Sequence, residues 1–397
     1  MTSKTRALAS SIFATACFVA GCADNDTVAP GTGVGSGSGS GAGGGSGSGS
    51  GSGMGSGSGS GSAAVSYAVV GLASDKPIAG IPHTDPDLVN AWGLVPFEDS
   101  FWIANNGTGL VAIYDGTGAP VKKSGGLDLR SDIDGIAINP SHNPTDLMMQ
   151  NGTPCTTARL LFASEDGVII GVNPDLSPAV IQTVVDRTAI GAVFKGVAIA
   201  TEPDGSLLVL AADFHNGTVD LFDTSFQPVT KLGTSAFVDP KIPSTMAPFN
   251  VAVIDDAVFV TYATQDAARH DDVPGAGAIA KFDLSGKLLA DLVGGPFSSP
   301  WGMTIAPASF CAASGKTTSS ELIVGNFGDG TVNMVDPVAL TSIGKLDDKA
   351  GNPIAIDGLW GLSVAEGVTN AMAGSLYFTA GPNAEADGLF GRIDPVQ

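Results

Sequence analysis

From Val65 to Gln397 apolar residues alternate with polar ones over short runs rich in Val, Ile, Leu and Phe. Gly, Asp, Asn and Pro interrupt the runs about every 8–12 residues. A two-residue period places alternate side chains on opposite faces of a strand. No stretch sustains the 3.6-residue stripe of an amphipathic helix. The pattern predicts an all-β domain over residues 65–397.

The strands recur as a unit. One copy reads "VNAWGLVP", "FWIANNGTG", "VAIYDGTG"; a later one reads "SSPWGMTIAP", "ELIVGNFGDG", "TVNMVDP"; the last reads "IDGLWGLSVA", "SLYFTAGPNAEADG", "LFGRIDP". Weaker copies lie between them. The landmark position of each first strand falls at Gly93, Gly135, Gly196, Asn250, Gly302 and Gly361. Units of roughly 40–60 residues, each with three visible strands and room for a fourth, predict a six-bladed β-propeller. The last unit stops without an outer strand, and "SYAVVGLASD" (Ser66 to Asp75) precedes the first unit as an orphan. Pairing the two closes the ring.

Upstream of Val65 the alternation disappears. Lys4 and Arg6 precede an apolar run from Ala7 to Val19, which ends in Val19-Ala20-Gly21-Cys22. A basic start, a short apolar core and small residues at the exit describe a signal peptide. The ending resembles the bacterial lipobox, which implies a lipoprotein cleaved after residue 21, with lipid on Cys22 and a membrane as its partner. Ala23 after the Cys resembles lipoproteins sorted to the outer membrane of the bacterial cell envelope. Residues 22–64, with an almost pure Gly/Ser tract from Gly31 to Ser62, cannot bury apolar surface and are expected to form a disordered tether. Its root-mean-square span would be roughly 30 Å.

The chain carries 18 basic and 39 acidic side chains, a formal charge of −21. Such an acidic surface argues against nucleic acid and against anionic lipid head groups; it is compatible with binding cations and equally with simple solubility, and identifies no ligand by itself. Of four Cys, only Cys155 and Cys311 fall in the folded part, in long first-to-second-strand insertions of units two and five. Either they form a disulfide across the axis or they are independent thiols. Their spacing does not describe a zinc site.

The strings "LVNAWGL", "FWIANNGTG", "LFASEDG", "AADFHNGTVDLFD", "APFNV", "SPWGMTIAPASF", "VGNFGDG", "IDGLWGL" and "LYFTAG" together resemble an uncharacterised family of exported bacterial six-bladed propellers, related to NHL-repeat and gluconolactonase-type propellers. The resemblance implies the fold and imports no activity.

Strand alternation in a blade puts the start of the first strand and the turn between the second and third strands on one face. The residues just before each landmark then ring one mouth of the axial channel: Asn90 and Trp92, Asp134, Lys195, Phe249 with Asn250, Trp301, and Asp357 with Trp360. The turns around them carry Asn105-Asn106, Glu165-Asp166, Asp213 to Asn216, Gln265 to Asp272, Asn326 to Asp329 and Asn383 to Asp387. Convergent carboxylates, carboxamides and indoles suit a ligand pocket. The same Asn and Asp residues suit tight turns, and the Trp residues suit packing. His215 and His270 are the best-placed imidazoles, each beside a carboxylate, as a base, a metal ligand or an exposed loop His.

Two functional readings follow. The first is a lipid-anchored envelope propeller binding a ligand or protein through the Asp/Asn/Trp-rich face. The alternative is a metal-dependent hydrolase of lactones or esters. In it Asp134, Asn250 and Asp357 would hold a divalent cation such as calcium, assisted by Lys195 or His215. No nucleophile elbow, HExxH, P-loop or EF-hand spacing is present.

Overall fold

The computed structural model describes residues 65–121, 127–150, 155–233, 235–311 and 321–396. The expected signal peptide, Cys22 and the tether lie outside the described residues.

Six antiparallel sheets form the blades, and their innermost strands adjoin one another in cyclic order. These inner strands are Ala91–Phe97, Ile133–Ile138, Phe194–Thr201, Met246–Ile254, Pro300–Ile305 and Leu359–Val364. The sixth follows the fifth and abuts the first, which closes the circle. The final blade is completed from the other end of the chain. Ser66–Ser74 pairs antiparallel with Leu389–Val396, from Ser66 opposite Val396 to Ser74 opposite Leu389. The predicted six-bladed propeller closed by its N-terminal strand is therefore the observed fold. Blade three has three strands, ending at Thr218–Phe222.

The landmark positions are explained by crowding at the axis. A Cβ on Gly93 would strike the Asp134 carbonyl, one on Gly302 the Trp360 carbonyl, and one on Gly361 the Trp92 carbonyl. A Cβ on Gly135 would come 2.8 Å from the Gly196 Cα. Each inner strand thus presses on the next. Asn250 is the exception, and its side chain does the joining. Its amide donates to the Trp301 carbonyl at 2.9 Å, and its Oδ1 accepts from the Val251 N–H at 2.8 Å.

The apolar side chains fill the wedges between adjacent blades. One buried cluster lies in each wedge, for example Phe97, Trp102, Ile113 and Phe162 between blades one and two. Phe194, Phe222, Leu161 and Val209 fill the wedge between blades two and three. Full burial of such side chains is worth about 1.5–3 kcal/mol each. The turns between third and fourth strands are set by Asp. Asp283 Oδ1 accepts from the N–H groups of Ser285 and Lys287 at 2.9 and 3.0 Å, so "DLSG" is a turn.

The two long insertions lean on the following blade among the described residues. The Leu147 N–H donates to the Thr224 carbonyl in blade three. The helical turn Ala308–Cys311 sets the Phe310 ring 4.9 Å from that of Tyr67 on the closing strand. Cys155 is exposed and free; the Cys311 side chain lies outside the described residues. No helix among the described residues is long and apolar enough to cross a membrane.

Candidate functional site

Every inner strand shifts register just before its landmark. A bulge kinks a strand and re-aims the extra residue. Trp92, Asp134, Lys195, Phe249, Trp301 and Trp360 all sit at these irregularities, and all six are buried.

Four of them form an aromatic plug. The Trp92 and Trp360 rings stack with centroids 3.4 Å apart, and Trp301 meets them edge-on at 5.6 and 5.9 Å. Phe249 and Phe327 pack on Trp360 at 5.9 and 3.8 Å. Two indoles are also tied by hydrogen bonds: Trp360 Nε1 donates to Asn90 Oδ1 at 3.0 Å, and Trp301 Nε1 to the Lys195 carbonyl at 3.1 Å. The Trp residues therefore pack against one another and close the channel. Beside the plug lies a cavity of about 260 Å³, lined by the side chains of Leu94, Ile136, Val197, Val251, Met303 and Leu362 together with Asn250 and inner-strand backbone.

The remaining two, Asp134 and Lys195, anchor a polar network. The Lys195 ammonium donates to Glu165 and lies over the rings of Trp92 and Phe214, 5.1 and 6.0 Å from their centroids. Asn106 Nδ2 donates to Asp134 Oδ1 at 2.9 Å and to Glu165 Oε2 at 3.1 Å. Asn90 Nδ2 donates to Asn106 Oδ1 at 3.1 Å and to Glu385 Oε2 at 2.7 Å. Blades one, two, three and six contribute to this one network. It is presented by strained backbone: Asn90, Asn383, Ala384 and Glu385 all have positive φ, at 47°, 59°, 50° and 67°. Non-glycine residues rarely hold such angles, and a run of them is kept by surrounding contacts.

The network is short of donors. Asp134 is fully buried, and its Oδ2 has no hydrogen-bond partner among the described residues. Burial pushes its carboxyl well above the ordinary range, although Lys195 and the Asn106 bond pull the other way. Burial also raises Glu385 and pushes Asp272 up to about 6. Lys195 is the cation that acts on Asp132, Asp134, Asp272 and Glu385 alike.

The expected site residues divide accordingly. Trp92, Asp134, Lys195, Trp301 and Trp360 converge. Asn250 is committed to the seam between blades four and five. Asp357 is exposed and accepts from the Asn383 N–H at 2.9 Å, which caps a turn. The trio Asp134, Asn250 and Asp357 thus does not offer three free ligand groups. His215 lies beside Gly191, its Nε2 3.6 Å from where a Cβ on that glycine would stand. His270 is exposed, with Nδ1 2.9 Å from Asp271 Oδ1. Asn90, Asn106, Glu165 and Glu385 stood out only as ring or turn residues in the sequence. A turn motif does not tell which of its polar side chains faces the axis.

The fold and site define a β-propeller whose axial channel is plugged by tryptophans and capped by an acidic, amide-rich mouth. No family model matches the chain. It is similar to uncharacterized protein R648 of Acanthamoeba polyphaga mimivirus, 32% identical over 331 residues, covering 78% of this chain and 76% of that protein. The chain belongs to the family of that mimivirus protein. It is also similar to uncharacterized protein L690 of the same virus, 29% identical over 352 residues, with 83% and 86% covered. Among solved structures it is similar to a protein of unknown function from Bacteroides thetaiotaomicron VPI-5482. That likeness has a TM-score of 0.50 at 9% identity and covers 83% of this chain and 76% of the other. The match shows the fold. The family resemblance read from the sequence therefore holds as far as the propeller, and the curated relatives are viral.

Proposed function

We propose that this chain is a tethered binding protein whose polar mouth captures a small ligand rich in hydrogen-bond donors or bearing positive charge. The observation that carries this reading is the unpartnered, fully buried Oδ2 of Asp134 inside a network otherwise joined across four blades. Acceptors outnumber donors there, so a donor-rich cation, amine or polyol is the complementary chemistry. The stacked indoles supply a rigid floor. Lipid on Cys22 and the Gly/Ser tract would hold the propeller off an envelope membrane, a reading that rests on the residues alone. The hydrolase alternative is the weaker one, because Asn250 and Asp357 already serve backbone groups.

The test is isothermal calorimetry of the purified chain against a panel of sugars, polyols and alkylamines. The reading expects one saturable binder whose affinity falls in Asp134→Asn and Glu385→Gln. A panel without any binder overturns the reading for organic ligands, and binding that both variants leave unchanged overturns the assignment to this mouth.

A further inference from the structure

We infer that the ligand of this mouth is, or includes, one divalent transition-metal ion of the zinc class, held by Glu165, His270 and Asp271. The inference rests on the binding role just proposed and names the ligand. One candidate ligand atom from each of these three residues lies within 4.8 Å of the others. Glu165 comes from the turn of blade two, His270 and Asp271 from that of blade four. His270 and Asp271 are neighbours in sequence, and it is the approach of Glu165 to that pair that the propeller fold produces.

Donor chemistry selects the metal. Calcium and magnesium take oxygen ligands, whereas an imidazole with carboxylates suits zinc, cobalt, nickel or copper. Three protein ligands leave a further position open to solvent or an incoming group. The blade-four turn is pinned for this presentation: Asp266 Oδ1 accepts from the N–H of His270 at 2.9 Å, and Arg269 sits at φ 59°.

A second observation lies next to Glu165 in the same network. Asp134 Oδ2 is buried and unpartnered, and its carboxylate is joined to that of Glu165 by the one Asn106 amide. Acids Asp132, Asp134, Glu165, Asp271, Asp272 and Glu385 lie around this point, with Lys195 and, when protonated, His270 as the positive groups acting on them. Burial raises the carboxyls of Asp132, Asp134, Asp272 and Glu385, and a bound cation would favour their ionised forms. Lys195 and Asn106 bound to Glu165 would then be the outer partners that orient a ligating carboxylate.

The experiment titrates the full chain, stripped with a chelator, with Co²⁺ alone and with Zn²⁺ as competitor. The expected result is one equivalent bound, a visible Co²⁺ absorption band that Zn²⁺ abolishes, and affinity reduced roughly tenfold or more in His270→Ala and in Asp271→Ala. Both side chains are exposed, so these variants should fold, which circular dichroism verifies; Asp357→Asn serves as an unaffected control. The inference is overturned if neither metal binds up to a concentration on the order of 1 mM. It is also overturned if His270→Ala binds as the parent does, or if equimolar Ca²⁺ displaces Co²⁺. Metal binding with a blank sugar, polyol and amine panel removes only the organic-ligand form of the earlier reading. A panel binder unaffected by His270→Ala, with no metal bound, removes only this one.

Discussion

The ammonium of Lys195 lies 5.1 Å from the centroid of the Trp92 ring while donating to Glu165. Blades one, two and three meet in that contact. A buried ammonium is tolerated because a carboxylate and two aromatic faces replace its water. The pair joins the packed floor of the channel to the acidic mouth above it.

Removing one partner should expose the dependence. Glu165→Ala leaves the ammonium buried and unpaired, and such breakage costs about 3–5 kcal/mol. The double variant Lys195→Met with Glu165→Gln should lose less than that single change. Urea denaturation of the parent, both singles and the double measures the coupling.

The axial glycines should be intolerant of a methyl group. Gly93→Ala and Gly302→Ala force a Cβ against the carbonyl of the next blade. Each should cost more than Gly205→Ala, where φ is +86° but no atom lies within 4 Å, a change worth about 1 kcal/mol of backbone strain. Thermal unfolding of the three variants ranks them.

Closure can be tested by truncation. Deleting residues 1–64 should leave the melting temperature within a few degrees of the parent. Deleting residues 1–75 removes the strand paired with Leu389–Val396 and the buried Tyr67, Leu72 and Ala73. That protein should unfold or aggregate through the bared edge. Differential scanning calorimetry and size-exclusion chromatography distinguish the outcomes.

Stability should depend on pH with an unusual sign. Burial holds the folded-state carboxyls of Asp134 and Glu385 above their ordinary range. The folded state therefore keeps protons that the unfolded chain releases, so this contribution is present below pH ~4 and is lost as pH rises through the folded values. Asp272, pushed up by burial to about 6, adds to this effect, so the metal-free protein should gain stability as pH falls through about 6. Asp134→Asn should raise stability at pH 8 and flatten the slope. Turn residues such as Asp283 act oppositely, since the Ser285 hydroxyl and backbone N–H bonds lower its carboxyl. Their help disappears below pH ~4. Urea denaturation across pH 3–8 checks both limbs.

The tethering proposal makes a separate prediction. In a bacterial host, Cys22→Ser should abolish incorporation of labelled fatty acid and move the chain from the membrane pellet to the soluble fraction. Lipid incorporation that survives the substitution would end that proposal.

Much of the architecture was legible because it is carried by local period and repetition. The landmark glycines, the orphan strand at Ser66 and the turn aspartates each report a backbone requirement that neighbouring residues make visible. The site was legible only in part. Asp134, Lys195 and the Trp residues announced themselves by their place before the landmarks. Asn250 stands at a landmark itself and serves a seam, because the gap between blades four and five takes a carboxamide instead of a second backbone. Asp357 precedes a landmark too, but it is spent on the Asn383 turn.

By itself the sequence determined the strands, their number per unit, the sixfold recurrence and the excess of acid. Those properties follow from side-chain period and composition, which act within a few residues. Only the tertiary structure decided that Glu165 meets Lys195, His270 and Asp271, that Asn106 links Asp134 to Glu165, and that the indoles turn inward as a plug. These are contacts between residues from 28 to more than 200 positions apart. Their geometry is set by how six twisted sheets close on one axis, a condition that no local stretch of chain encodes.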